Sequence, residues 1–240
     1  MSDKVITVKN LVKKFGNFTA NDNLTFDVSR GEIFGFLGAN GAGKTTAMRI
    51  LCGLSVPTSG DVNVAGIDVK KFPERVKRKI GYMSQKFSLY DDLTIWENMR
   101  FYSAIYGVTS KEFKQSATAI LKELGLYEER KRLISTLSLG WKQKLAFSVA
   151  ILHEPSIVFL DEPTSGVDPI TRRQFWEMIY EAAYKGITVF VTTHYMDEAE
   201  YCNRLSIMVD GRIEAMGTPL ELKQQFEVET INDVFLQLAR

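Results

Sequence analysis

The sequence predicts an α/β fold: a largely parallel sheet wrapped by helices, an antiparallel β-rich part near the N-terminus and an inserted helical lobe. Three observations predict it. Apolar runs of strand length, Ile33-Phe34-Gly35-Phe36-Leu37, Ile157-Val158-Phe159-Leu160 and Thr188-Val189-Phe190-Val191-Thr192, alternate with helical stretches. That alternation makes a parallel sheet the economical solution. Gly38-Ala39-Asn40-Gly41-Ala42-Gly43-Lys44-Thr45 fits G-x-x-x-x-G-K-[ST], and lies between a strand and the breaker-free helix start Thr46-Ala47-Met48-Arg49. Finally, no convincing strand interrupts the helical patterns from Leu93 to Leu152. The chain therefore reads as one domain over 1–240, with a core of 1–92 and 153–240 and a lobe of about 93–152.

Taken in order, Val5-Ile6-Thr7-Val8 alternates like a strand, and Leu24-Thr25-Phe26-Asp27-Val28 is a second β-rich piece. Ser29-Arg30-Gly31-Glu32 turns the chain into the strand before the glycine loop, and Pro57-Thr58-Ser59-Gly60 makes another turn. Asp61 to Gly66 resembles a strand ending in a hairpin. In the lobe, Thr94 and Glu97 form a capping box ahead of Ile95, Trp96, Met99, Tyr102, Ile105 and Tyr106 at helical spacing. Further helical patterns run from Lys111 to Leu124 and from Lys142 to Leu152. Ile157 to Leu160 is unbroken apolar sequence, as a central parallel strand requires. A helix from Ile170 to Tyr184 stops at Gly186, and Met196 to Glu200 is a short helix. Leu205–Val209 and Arg212–Ala215 pair across Asp210-Gly211, a hairpin turn signal.

Composition narrows the function. With 240 residues and a formal net charge of +1, the chain has no basic excess to draw it to nucleic acid or an anionic membrane. Its 45% hydrophobic and 25% charged residues are ordinary for a soluble globular protein. Cys52 and Cys202 are too few for a disulfide framework and lack metal-ligand spacing, so a reduced cytoplasmic setting is the expectation. Met1-Ser2-Asp3-Lys4 shows no secretion signal, and no apolar run approaches the roughly 20 residues of a membrane span. Service at a membrane would pass through a partner or through chain not shown.

The glycine loop carries the first chemistry. Glycines let backbone N–H groups curl closely around an anion, and the helix N-terminus adds partial positive charge. Lys44 then stands as a point charge for the β- and γ-phosphates, and the Thr45 hydroxyl as a Mg²⁺ ligand. The competing reading is a plain glycine turn followed by a surface lysine. Asp161 and Glu162 end a buried strand, and in doubly wound sheets ligands bind beyond the strands' carboxyl ends. Asp161 is placed to reach the Mg²⁺ shell through water, and Glu162 to polarise an attacking water as general base. The alternative is an acidic pair that opens a loop.

In order along the chain, the phosphate loop, Gln85, Leu137-Ser138-Leu139-Gly140, Leu160-Asp161-Glu162-Pro163-Thr164, Ser165-Gly166-Val167-Asp168 and His194 resemble the motifs of the ATP-binding-cassette (ABC) ATPases. The resemblance covers essentially the whole chain and implies a P-loop NTPase core. Thr193-His194-Tyr195-Met196-Asp197-Glu198-Ala199-Glu200 and Gly211-Arg212 look most like exporters of the ABC-2, drug-resistance type. The resemblance implies ATP and Mg²⁺ bound by Gly38 through Thr46, with Phe15 stacked on adenine (otherwise a buried strand-end Phe). Gln85 would touch Mg²⁺ and join core to lobe. Ser138 and Gly140 would grip the γ-phosphate of ATP held by a second ATP-binding subunit, identical or not. Asp168 would communicate between the two sites, and His194 would contact the γ-phosphate and the catalytic Glu162. A membrane permease subunit would hold the chain at the cytoplasmic face, with part of the aromatic stripe Trp96–Tyr106 receiving a short helix from it.

The signature departs from the family's usual LSGGQ: Leu139 replaces the first glycine and Trp141 the glutamine. Lys142-Gln143-Lys144 put positive charge in the first helical turn against the dipole, tolerable if a γ-phosphate docks nearby. Other classes fit less well. A soluble ABC ATPase acting on nucleic acid or ribosomes would call for a heptad insertion, a tandem cassette, a zinc cluster or a basic excess. A GTPase or small-molecule kinase would need Asn-Lys-x-Asp or an acceptor pocket. Glu162 and His194 speak against a non-hydrolysing regulatory cassette.

Overall fold

The computed structural model describes residues 3–85 and 89–239. It contains two sheets. The N-terminal hairpin, β1 (Lys4–Phe15) and β2 (Phe18–Ser29), turns at Gly16-Asn17 and joins β4 (Ser59–Val64) and β5 (Ile67–Asp68) in an antiparallel sheet ordered β2-β1-β4-β5. Both strands of the hairpin run well past the short pieces that alternation marks, because polar residues such as Lys13 and Asn21 still satisfy the ladder.

The second sheet is ordered β10-β9-β3-β8-β7-β6, from β3 (Ile33–Gly38), β6 (Ile80–Met83), β7 (Ile157–Asp161), β8 (Thr188–Thr193), β9 (Arg204–Val209) and β10 (Arg212–Gly217). All neighbours are parallel except edge strand β10, which turns back at Asp210-Gly211 with both residues at positive φ. Side chains alternate between its faces. Phe34, Phe36, Phe159 and Phe190 point toward Phe26 of the antiparallel sheet in one aromatic cluster, with centroids 5.3–6.2 Å apart. Val158, Leu160, Val189 and Val191 face the helices behind. With both faces covered, the central strands are apolar along their middles, and the buried polar residues of β7 and β8 lie at their ends.

Helix α1 (Lys44–Leu51) follows the glycine loop, and a short α2 (Pro73–Lys77) precedes β6. The lobe contains α3 (Ile95–Ile105), α4 (Ser110–Glu123) and α5 (Leu139–Ile151). Thr94 and Thr109 cap the first two with complete capping boxes. Helix α5 buries Leu145 and Val149 in the lobe's own core, and Ala146, Phe147 and Ala150 against the main sheet. It therefore ties lobe to core. In the aromatic stripe, Ile95 and Met99 are buried, Trp96 packs on Phe113, and Ile105 is exposed.

Helix α6 (Pro169–Tyr184) covers the back of the sheet with Phe175, Trp176 and Ile179. Residues Met196–Tyr201 form a 3-10 helix. Two C-terminal helices that periodicity did not mark, α7 (Pro219–Gln225) and α8 (Ile231–Leu238), cover Leu205 and Ile207. They are only seven and eight residues long, too short for a persuasive 3.6-residue pattern. No helix among the described residues is long and apolar enough to cross a membrane.

Candidate functional site

Strands β3, β7 and β8 lie side by side, so their carboxyl ends bring the glycine loop, Asp161-Glu162 and His194 to one edge of the sheet. Two glycines of the loop are dictated by close approach. A Cβ on Gly43, whose φ is 98°, would lie 2.2 Å from the Ala20 carbonyl oxygen; one on Gly38 would lie 2.6 Å from that of Met208. The loop is braced from outside as well: the Asn21 amide donates to the Gly43 carbonyl at 3.1 Å, and the Gly211 N–H to the Ala42 carbonyl at 3.2 Å. Ala39, Asn40 and Gly41 remain exposed at the tip, whereas Ala42 is buried and Gly43 and Thr46 are half-buried. Lys44 is buried. Its Nζ donates to the Gly38 and Ala39 carbonyls at 2.8 and 3.1 Å and lies 3.3 Å from Glu162 Oε1.

Asp161 and Glu162 have separate partners. Asp161 Oδ1 accepts from Thr45 Oγ1 at 3.1 Å and from Thr192 Oγ1 at 2.7 Å. Burial pushes its carboxyl above the usual range, the two hydroxyl donors oppose that, and the neighbouring Glu162 charge adds to it. Glu162 Oε2 accepts from Gln85 Nε2 at 2.9 Å and lies 3.0 Å from His194 Nδ1. Its backbone is left-handed, with φ 46°, and its N–H donates to the carbonyl and hydroxyl oxygens of Thr192. Lys44, Gln85 and His194 thus converge on one buried carboxylate.

Ser138 and Gly140 sit at the start of α5, where Ser138 is the exposed N-cap residue and its side chain makes no capping bond. A Cβ on Gly140 would lie 2.7 Å from Thr171 Cγ2, so the start of α5 packs tightly on the first turn of α6. Asp168 caps α6, accepting from the Ile170 and Thr171 N–H groups at 3.0 Å each. Bonds from these amides and the Thr171 hydroxyl hold its carboxyl below the usual range. Lys142 differs from expectation: its ammonium is 2.6 Å from Asp91 Oδ1, so a carboxylate of the same chain already balances it. Phe15 is 55% exposed at the end of β1, under Lys13 Nζ at 4.8 Å from the ring centroid, so it is not a core residue.

The family model for ABC transporters matches residues 21–165. The chain belongs to the ABC transporter family. It is 47% identical to the probable multidrug ABC transporter ATP-binding protein YbhF of Escherichia coli strain K12, over 98% of this chain and 42% of that protein. It is 36% identical to the linearmycin resistance ATP-binding protein LnrL of Bacillus subtilis, over 98% of this chain and 79% of that one. A solved structure of the ATP-binding subunit of an ABC transporter superposes with a TM-score of 0.88 at 30% identity, covering 98% of this chain and 99% of that one. The chain spans under half the length of YbhF. An ABC ATPase domain with the P-loop NTPase fold accounts for all of these likenesses, and the nucleic-acid alternative finds no support among them.

Within this ABC domain several residues shape the site without standing out in the sequence. Thr192 bonds both Asp161 and the Glu162 N–H. Gln143 and Glu198 are fully buried polar residues, the first donating to the Pro163 carbonyl and the second accepting from the Thr164 hydroxyl. Gln143 stands between Lys142 and Lys144 in the sequence and carries no signal of its own there. For the Mg²⁺ that ABC ATPases use, the test is donor chemistry. Thr45 and Asp161 offer hard oxygens 3.1 Å apart, which suits an ion that keeps most of its waters.

Proposed function

We propose that this chain is the ATP-hydrolysing subunit of an ABC-2 type exporter, with Glu162 as the general base. The convergence of Lys44, Gln85 and His194 on the Glu162 carboxylate carries this reading. A γ-phosphate seated in the glycine loop meets the loop amides and Lys44, which would exchange Glu162 for phosphate oxygen as its anionic partner. Freed from that pair, Glu162 takes a proton from the attacking water while the water oxygen bonds to phosphorus and the bond to the β-phosphate oxygen breaks. His194, beside Glu162 Oε2, orients the carboxylate and reaches toward the transferred phosphoryl group. Thr45 and Asp161, joined by Gln85, would hold Mg²⁺, which when bound neutralises charge on the β- and γ-phosphates.

Ser138 and Gly140 supply an exposed hydroxyl and a helix N-terminus, suited to a γ-phosphate presented by a second subunit. Phe15, exposed at a strand end, supplies a flat ring for adenine, and Asp168 stands at the start of α6 beside the signature turn. Two copies, or this chain and a similar one, would close on two ATP molecules and reopen after hydrolysis. That motion would drive a membrane permease docked at the exposed end of α3, with the chain held at the cytoplasmic face. Size-exclusion chromatography of the Glu162→Gln variant tests the sandwich: saturating MgATP should convert monomer to dimer. A variant that binds MgATP and still elutes as a monomer would overturn it.

A further inference from the structure

A left-handed backbone at a non-glycine residue is strained and persists only where its surroundings impose it. At Glu162 those surroundings extend beyond Thr192. Pro163 and Thr164, the next two residues, are both buried, and each is held by a side chain from another segment. The Gln143 amide of α5 donates to the Pro163 carbonyl, and Thr164 Oγ1 donates to Glu198 Oε1. Both holding residues are 0% exposed, and the Gln143 amide keeps its oxygen without a hydrogen-bond partner among the described residues. A buried polar atom left unpaired is destabilising, so core packing alone would not select Gln143 here. Gln143 stands between Lys142 and Lys144 in the sequence and is nevertheless buried on α5.

Glu198 also touches the second loop of the site. Arg172 Nε is 3.7 Å from its Oε1, the Arg172 guanidinium lies 4.1 Å over the Tyr195 ring, and that ring packs on His194 at 4.2 Å. The carboxylate is thereby fastened both to the segment that follows Glu162 and to the segment that carries His194.

We infer that Gln143 and Glu198 are positioning residues for hydrolysis, clasping Pro163-Thr164 so that the Glu162 carboxylate is held toward the attacking water. This rests on Glu162 being the general base. The test is steady-state ATPase kinetics of the purified chain carrying Gln143→Leu, Thr164→Val or Glu198→Leu, beside Glu162→Gln. Each of the first three should lower kcat about tenfold while KM for ATP stays within about twofold, and Glu198→Gln, which keeps an oxygen for Thr164 to donate to, should restore most of the loss. Unchanged kcat in Gln143→Leu and Thr164→Val, with Glu162→Gln inactive, overturns the clasp and leaves the base assignment standing. Full turnover in Glu162→Gln overturns the base assignment instead. If Glu198→Leu does not fold, Gln143→Leu and Thr164→Val still decide the matter, because each removes one half of the clasp by a substitution of similar size.

Discussion

Replacing Glu162 by glutamine isolates the charge of one carboxylate while keeping its shape. In the structure that charge sits 3.3 Å from Lys44 Nζ, with both side chains at least 93% buried. At an effective dielectric of about 20, a pair at this separation attracts with about 5 kcal/mol before desolvation. Lys44 keeps its two carbonyl acceptors after the change, so the net destabilisation should be about 2–3 kcal/mol, toward the low side of what an orphaned buried charge costs. In a domain of this size that lowers Tm by roughly 5–10 °C. ATP affinity should move the other way, because a phosphate no longer competes with Glu162 for Lys44. Turnover should fall about 10²–10⁴-fold, the usual worth of a general base. Scanning fluorimetry of the nucleotide-free variant, titration with a fluorescent ATP analogue and a phosphate-release assay read the three effects separately. A Tm within about 2 °C of wild type, with turnover within a few-fold, would refute both the strength of the buried pair and the role of the base.

Lys44→Ala should weaken ATP binding by about 10–100-fold, since one charge-assisted bond to phosphate contributes about 1.5–3 kcal/mol; unchanged affinity in the same titration would count against its placement. Gly43→Ala combines a φ of 98° with a Cβ 2.2 Å from the Ala20 carbonyl oxygen, so nucleotide binding should be lost and stability reduced by more than about 3 kcal/mol in urea unfolding. A well-folded Gly43→Ala chain with intact affinity would show that the loop has room the structure denies. His153 is stacked on Tyr106 at 3.7 Å, with Nε2 donating to the Ile80 carbonyl, and burial pushes its pKa down to about 4. Because the folded chain takes up that proton less readily than the unfolded one, stability should fall as pH drops from about 6.5 toward 4 and be unaffected above that range. The contribution should be about 1–2 kcal/mol after discounting for the solvent-facing part of the ring. His153→Phe should flatten that part of the urea-midpoint profile, and a slope equal to wild type would refute it.

What could be read without coordinates follows from period and punctuation. The runs Ile33–Leu37, Ile157–Leu160 and Thr188–Thr192 declare buried strands because a largely apolar, β-branched stretch has nowhere else to go. Asp210-Gly211 declares a hairpin because few residues adopt two consecutive positive φ angles. The phosphate loop declares itself because its motif is complete within eight residues, although the contacts that demand Gly38 and Gly43 come from Met208 and Ala20. The same local rules fail at α7 and α8, which are too short to show a period, and over the polar ends of β1 and β2, where cross-strand pairing rather than pattern extends the strand.

The site divides along the same line. Residue type and spacing, read through resemblance to a family, single out Lys44, Thr45, Gln85, Ser138, Asp161, Glu162, Asp168 and His194. Only the folded chain decides what each of them touches. Strand order sets β7 and β8 beside one another and brings Thr192 under Asp161, although 31 positions separate them in the sequence. Helix packing delivers Gln143 to the Pro163 carbonyl and leaves Lys142 beside Asp91 instead of a phosphate. A sequence determines local conformation through sterics and hydrophobic period, which act over a few residues. Contacts between distant residues exist only once the sheet order is set, so the partners of Glu162 belong to the tertiary structure.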